Sequence, residues 1–180
     1  MSQFLSLRNC LRLTIRLLRQ FRRGEGMKAV IIMGSKSDLD YSKKIASKLA
    51  DFGIDAVMRI ASAHKTPEKV LEIIKEYEKE DVVFVTVAGR SNALSGFVDA
   101  NTSKPVIASP PYSDKFGGAD IFSSIRMPSG VAPMLVLEAE NAALAVAKIF
   151  ALKDEGVREK VVQFQENKRR EIYKADEELR

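Results

Sequence analysis

The chain of 180 residues contains one cysteine, one histidine and no tryptophan. With Cys10 alone, no disulfide can close within the chain and no Cys/His metal cluster can be assembled. That scarcity fits a reduced, cytoplasmic setting. Also missing are a P-loop, the three-glycine dinucleotide fingerprint and a GxSxG elbow, which removes three common routes to nucleotide or acyl chemistry. No internal repeat or low-complexity stretch interrupts the sequence. What is present, 46% hydrophobic and 29% charged residues, is ordinary for a folded domain.

The net charge of +5 invites a nucleic-acid reading until it is divided along the chain. Residues 1–26 hold six arginines and one acidic residue, whereas residues 27–180 hold 23 basic and 23 acidic residues. The body is therefore neutral, which disfavours phosphate-backbone binding. In the tail, Arg8, Arg12, Arg16, Arg19 and Arg23 recur at helical spacing among leucines, as in transit peptides and helices lying on anionic membranes. So much charge prevents it from spanning a bilayer. "GEGMKAV" reads as a junction between unlike compositions, with Met27 as the expected start of the folded body and residues 1–26 as upstream sequence or a targeting segment outside the fold.

From Met27 onward, β-rich runs alternate with helical patterns. "KAVIIM" reads as a buried strand, and the following segment places Leu39, Ile45, Leu49 and Phe52 on one helical face before stopping at Gly53. "IDAVMRI" is a second strand, and Pro67 opens a helix carrying Val70, Leu71, Ile74 and Tyr77. "VVFVTV", "PVIAS" and "VAPMLVL" supply three more strands, and "EAENAALAVAKIFAL" an alanine-rich helix. This alternation predicts an α/β fold with a parallel sheet covered on both faces, spanning residues 27–152. Residues 153–180 predict a charged helix whose apolar stripe (Val157, Val161, Phe164, Ile172) is too narrow for its own domain to hold firmly. It is expected to pack on a neighbouring subunit.

Ligands of open parallel sheets bind beyond the carboxyl ends of the strands. The loops expected there are "GSKSD", "SAHKTP", "AGRSNALSG" and "SPPYSDKFGG", all small, polar and rich in Ser or Gly. "GSKSD" offers amides and the hydroxyls of Ser35 and Ser37 to a phosphate, with Asp38 able to accept from a sugar hydroxyl. Plain helix capping by Ser37 or Asp38 explains the same residues equally well. "SAHKTP" sets His64 beside Lys65 at the mouth of the sheet, pairing a side chain that exchanges protons near neutrality with a cation for an anion or carboxyl group. With no second histidine and no cysteine in the body, His64 is left single-residue acid/base work. "AGRSNALSG" adds glycines for close backbone approach and Arg90, Ser91 and Asn92 as polar contacts; a turn with an N-cap is its alternative.

From Met27 to about Leu152 the chain resembles the phosphoribosylaminoimidazole carboxylases of purine biosynthesis, the PurE family. The resemblance is carried by "MGSKSD", "SAHKTP", "AGRSN", "PVIASPP", "SSIRMPSG" and "NAALAVAKIFAL" in that order. One branch, the N5-carboxyaminoimidazole ribonucleotide mutases, shows "SAHRTP" and a third loop like "AGAAAHLPG". Here Lys65 replaces that arginine and Ala93 stands where the second histidine would fall. Both departures match the other branch, which carboxylates aminoimidazole ribonucleotide directly with carbon dioxide.

The resemblance implies a three-layer α/β/α sandwich of flavodoxin type in a symmetric homo-oligomer, a tetramer or an octamer, with active sites at subunit junctions. It implies His64 as the catalytic proton carrier, and Ser35, Asp38, Ser62, Lys65, Gly89, Arg90 and Ser91 as substrate-binding residues. Arg126 and Ser129 are further contacts it suggests from a neighbouring loop, where a structural turn is an equal explanation. No cofactor, whether metal, biotin or ATP, is implied for the step. The mutase activity is the runner-up, and a non-catalytic module binding a nucleotide or flavin phosphate is the alternative from another class.

Overall fold

The computed structural model describes residues 26–180; the basic tail and Cys10 lie outside the described residues. Five strands run β1 Lys28–Met33, β2 Asp55–Ile60, β3 Val82–Val87, β4 Val106–Ala108 and β5 Met134–Leu135. All pairings are parallel and the order is β2-β1-β3-β4-β5, the flavodoxin-like arrangement. The α-helices among the described residues are α1 Leu39–Asp51, α2 Pro67–Tyr77, α3 Ala93–Asp99, α4 Phe122–Ile125, α5 Ala139–Phe150 and α6 Glu155–Glu177.

Side-chain alternation along each strand sorts the core into two layers. Ala29, Ile31, Met33, Val83, Val85 and Val87 face Ile45, Leu49, Val146 and Phe150 of α1 and α5. Val30, Ile32, Val82 and Phe84 face Val70, Ile73 and Ile74 of α2 and Leu94 and Val98 of α3. Because β3 is buried along its whole length, it reads as a continuous apolar run, as an interior parallel strand must. In α2 the buried position is Ile73 where the spacing predicted Leu71, which is half-buried.

Local chemistry fixes the helix ends. Gly53, at φ 77, lets α1 close with Gly53 N–H donating to the Ala50 carbonyl at 2.9 Å and Ile54 N–H to the Leu49 carbonyl at 3.0 Å. That is the paired-bond C-terminal stop a glycine makes accessible. At the start of α6 the Asp154 carboxylate accepts from Val157 N–H at 2.9 Å.

The first half of α6 is anchored by buried Val157 and Val161 and by Phe164, which meets Phe52 edge-on at 5.7 Å while the Lys48 ammonium lies 4.5 Å from its ring centre. Its second half is solvated, with Ile172 71% exposed. The narrow stripe is thus half used within the chain. Two helical segments went unrecognised in the sequence: α3, read as loop, and the stretch Lys115–Ile125, where a 3-10 segment runs into α4. Both are short and rich in Gly, Ser and Asp, so propensity concealed them.

Candidate active site

Hydrogen bonds at the end of the sheet bring the loops to one edge. Ala61 N–H donates to the Met33 carbonyl at 3.0 Å, Gly34 N–H to Val87 at 2.9 Å, Ser109 N–H to Thr86 at 2.9 Å and Val136 N–H to Ala108 at 2.9 Å. Each loop therefore begins next to another, beyond the carboxyl ends of the strands. Gly34 eases that closeness, since a Cβ there would stand 3.2 Å from the Ala88 Cβ, tighter than an ordinary contact.

The first loop is a capping box. Ser35 Oγ accepts from Ser37 N–H at 3.0 Å, and an Asp38 carboxylate oxygen accepts from Ser35 N–H at 3.0 Å. The capping acceptor is Ser35, where the sequence pointed to Ser37 or Asp38. Burial pushes the Asp38 carboxyl above the usual carboxylate range, against the opposing pull of the bonds from the Ser35 amide and the Ser37 hydroxyl.

The second loop is a tight turn. Thr66 N–H and Lys65 N–H both donate to the Ser62 carbonyl, at 2.8 and 3.2 Å, and Ser62 N–H donates to Thr66 Oγ1 at 3.0 Å. His64 and Lys65 sit exposed at its tip, available to a ligand, while Ser62 is half-buried at its base.

In the third loop Gly89 is half-buried with nothing within 4 Å of its absent Cβ, and Arg90 and Ser91 are exposed. Asn92, read as a polar ligand contact or as part of a turn with an N-cap, is buried and serves as the cap: its Oδ1 accepts from Ser95 N–H at 3.2 Å and its Nδ2 donates to Ser124 Oγ at 2.9 Å. It caps α3.

A cavity of about 240 Å³ opens at the carboxyl ends of β3, β4 and β5, lined by Tyr41, Gly89, Pro110, Pro111, Tyr112, Asp120, Ile121, Ser123, Leu137 and Glu138 among others. Of the residues singled out from sequence as substrate contacts, only Gly89 reaches it. Tyr41, Asp120 and Glu138 were missed. The Tyr41 hydroxyl hydrogen-bonds Ser109 Oγ at 3.0 Å across 68 residues of sequence, and burial raises its ionisation above the usual phenol value. Its signal was positional: Tyr41 lies one turn after Asp38 on the helix that rises from the first loop. Arg126 and Ser129 are exposed outside this cavity lining.

Among the described residues there is no group of three or more His, Cys, Asp or Glu side chains able to hold a metal, and no helix is long and apolar enough to cross a membrane. One site edge thus carries an exposed imidazole and ammonium, a capped serine and aspartate loop, a glycine with open space, and an adjoining apolar cavity.

Residues 28–171 match the family described as AIR carboxylase. The chain is 51% identical over 153 residues to a phosphoribosylaminoimidazole carboxylase of Treponema denticola, covering 84% of this chain and 96% of that one. It is 41% identical over 153 residues to an N5-carboxyaminoimidazole ribonucleotide mutase of Methanocaldococcus jannaschii, covering 83% and 96%. The crystal structure of Treponema denticola PurE superposes with a TM-score of 0.83 at 50% identity, covering 85% of this chain and 98% of that chain.

Proposed function

The chain belongs to the AIR carboxylase family, and on that premise we propose that it carboxylates 5-aminoimidazole ribonucleotide directly with carbon dioxide. The ring is an electron-rich enamine. Its C4 attacks the carbon of carbon dioxide, forming a C–C bond and leaving a tetrahedral carbon that still carries its hydrogen. His64 takes that proton, the ring electrons return to aromaticity, and the product is the 4-carboxylate; the reverse reaction returns the proton. The observation that carries this reading is the pair of loops after β2 and β3: one histidine at an exposed turn tip, and Ala93 at the motif position where the other branch has a second histidine. A single imidazole suffices for a reaction that moves one proton.

The substrate roles follow as part of the proposal. Ser35, Asp38 and Ser62 hold the ribonucleotide together with the backbone of Gly89, Arg90 and Ser91. Lys65 faces the developing carboxylate, where a cation lowers the barrier, or contacts the phosphate. The oligomer belongs here too: the solvated half of α6, with Ile172 and Tyr173 exposed, suits contact with a neighbouring subunit. We propose likewise that the chain divides into a tail (1–26), a catalytic domain (27–152) and an oligomerisation helix (153–180).

The mutase is the second reading, favoured by the 41% identity to a relative of that name. A comparison of carbon sources separates them. Product formed from aminoimidazole ribonucleotide with bicarbonate-derived carbon dioxide, and not from N5-carboxyaminoimidazole ribonucleotide, is the expected result. Efficient use of the carbamate alone would transfer the chain to the mutase branch, and product from neither would favour a binding module.

Asp38 gives a second test. Burial raises its carboxyl above the usual carboxylate range, so folding favours the protonated form more than the unfolded chain does. The stability it contributes is complete below about pH 4, the unfolded carboxylate range, and is lost as pH rises through its higher folded value. At neutral pH the fold carries an ionised group it would rather have neutral. Asp38→Asn keeps an acceptor for the Ser35 amide, so the thermal midpoint at pH 7 should hold or rise while ribonucleotide affinity falls roughly tenfold with loss of the charged acceptor. Calorimetric unfolding beside a binding titration checks it; a lowered midpoint with unchanged affinity would make Asp38 a cap and nothing more.

A further inference from the structure

Arg90 adopts φ 59, a left-handed conformation that residues with a Cβ outside Asn and Asp seldom enter. Such a conformation persists only where the surroundings hold it, and it tends to mark functional segments. Here the surroundings are visible. Arg90 N–H donates to an Asp120 carboxylate oxygen at 3.2 Å, and the Arg90 carbonyl accepts from Ser123 Oγ at 3.0 Å. Asn92 N–H donates to the same Ser123 Oγ at 2.9 Å. The Ser123 hydroxyl hydrogen is shared between the carbonyls of Arg90 and Asp120, the latter at 2.7 Å. The backbone is thus gripped on both sides of Ser91, which stays exposed, and next to Gly89, which opens on the cavity.

The gripping residues come from "DIFSS", some 30 positions further on, where the "SSIRMPSG" motif begins. That motif had no use in the chemistry above; its first two serines, rather than Arg126 or Ser129, engage the loop. Ser123 acts at once as acceptor and donor, a dual role that a threonine hydroxyl can fill and alanine cannot. Asp120 needs only an acceptor oxygen, which asparagine also offers.

Building on the carboxylase reading, we propose that Ser123 and Asp120 are positioning residues: they hold Arg90 in its left-handed conformation and thereby set the Gly89–Ser91 backbone against the substrate. Both also line the cavity, and the role assigned to them runs through the backbone they hold. Apart from the Asn92 N–H, the groups that Ser123 and Asp120 bond are exposed or half-buried and contribute little to global stability, whereas a displacement of order 1 Å in a substrate-holding segment costs up to about a hundredfold in rate. Their removal therefore registers in turnover more than in unfolding.

The test is kinetic, on the full chain, with thermal midpoints measured alongside. Ser123→Ala should lower kcat/KM roughly ten- to hundredfold with the midpoint nearly unchanged, and Ser123→Thr should recover most of the loss. Asp120→Ala should act similarly and Asp120→Asn mildly. A glycine enters the left-handed region without being held there, so in an Arg90→Gly background, whatever that change itself costs, the further loss from Asp120→Ala should shrink to about threefold or less. An unchanged kcat/KM in Ser123→Ala, or equal losses from Asp120→Ala in both backgrounds, overturns the proposal alone. A wild-type protein inert toward both carbon sources overturns the carboxylase reading, and this proposal with it.

Discussion

Replacing His64 with asparagine is expected to slow the proposed carboxylation by about 10²- to 10⁴-fold while the fold and ribonucleotide binding survive. His64 is exposed at the tip of a turn held by hydrogen bonds among Ser62, Lys65 and Thr66, in which the imidazole takes no part. Its removal therefore leaves the turn in place, and the thermal midpoint should move no more than for an ordinary surface change. Asparagine keeps polarity and approximate shape but cannot take a proton near neutral pH. A positioned acid/base group contributes about 10²- to 10⁴-fold, and with no second histidine in the chain nothing stands ready to replace it. The expected pattern is a kcat lower by that factor, with a dissociation constant for the ribonucleotide changed little. Retained kcat would make His64 a bystander and return the proton step to an unassigned group. A large loss of binding together with kcat would instead place the imidazole on the substrate as an anchor.

The test depends on an arrangement that short-range sequence signals already exposed. Strands β1 to β4 were legible because their apolar runs are bounded by turn residues, and the periodic faces of α1, α2 and α5 are long enough for the spacing to be unambiguous. Gly53 and Pro67 marked ends that the structure places as expected, since each acts through its own backbone geometry. By contrast α3 spans seven residues, with Ser95 and Gly96 inside it, and owes its existence to burial of Leu94 and Val98 and to the Asn92 cap. Those are tertiary causes, and a local reading weighs them too lightly.

The site divides along the same line. His64, Lys65 and the two serines of the first loop were visible because each stands at a strand end, and a parallel sheet gathers strand ends at one edge. The residues that were missed are joined across long stretches of chain: Tyr41 to Ser109, and Arg90 and Asn92 to Asp120 and Ser123. Nothing in the neighbourhood of Ser123 announces that its hydroxyl will meet the loop after β3. Asn92 shows the converse case: of the two readings of its motif, ligand contact or N-cap, the cap is the one found, and only its neighbours are left for ligand.

A core substitution should reverse every feature of the His64 result. Phe84 is fully buried in β3, paired in register with Val30 on one side and Val106 on the other, and it packs in the layer formed by α2 and α3. Phe84→Ala removes the ring from a layer whose helices are tied to the sheet elsewhere and can only partly collapse, so a cost of about 3–5 kcal/mol is expected. Set against a typical total of roughly 5–15 kcal/mol, that is a large share of the stability. At about 2–4 °C per kcal/mol for a chain of this size, the thermal midpoint should fall by roughly 6–20 °C. The site should not register the change: Phe84 lies three residues before Val87, about 10 Å along the strand from the edge where the loops begin. Below the transition, turnover per folded molecule should match the wild type, which calorimetry and active-site titration measure separately. A drop in kcat at full folded fraction would show that the α2/α3 layer transmits its packing to the catalytic edge, and a midpoint lowered by only a degree or two would show that the helices close over the missing ring.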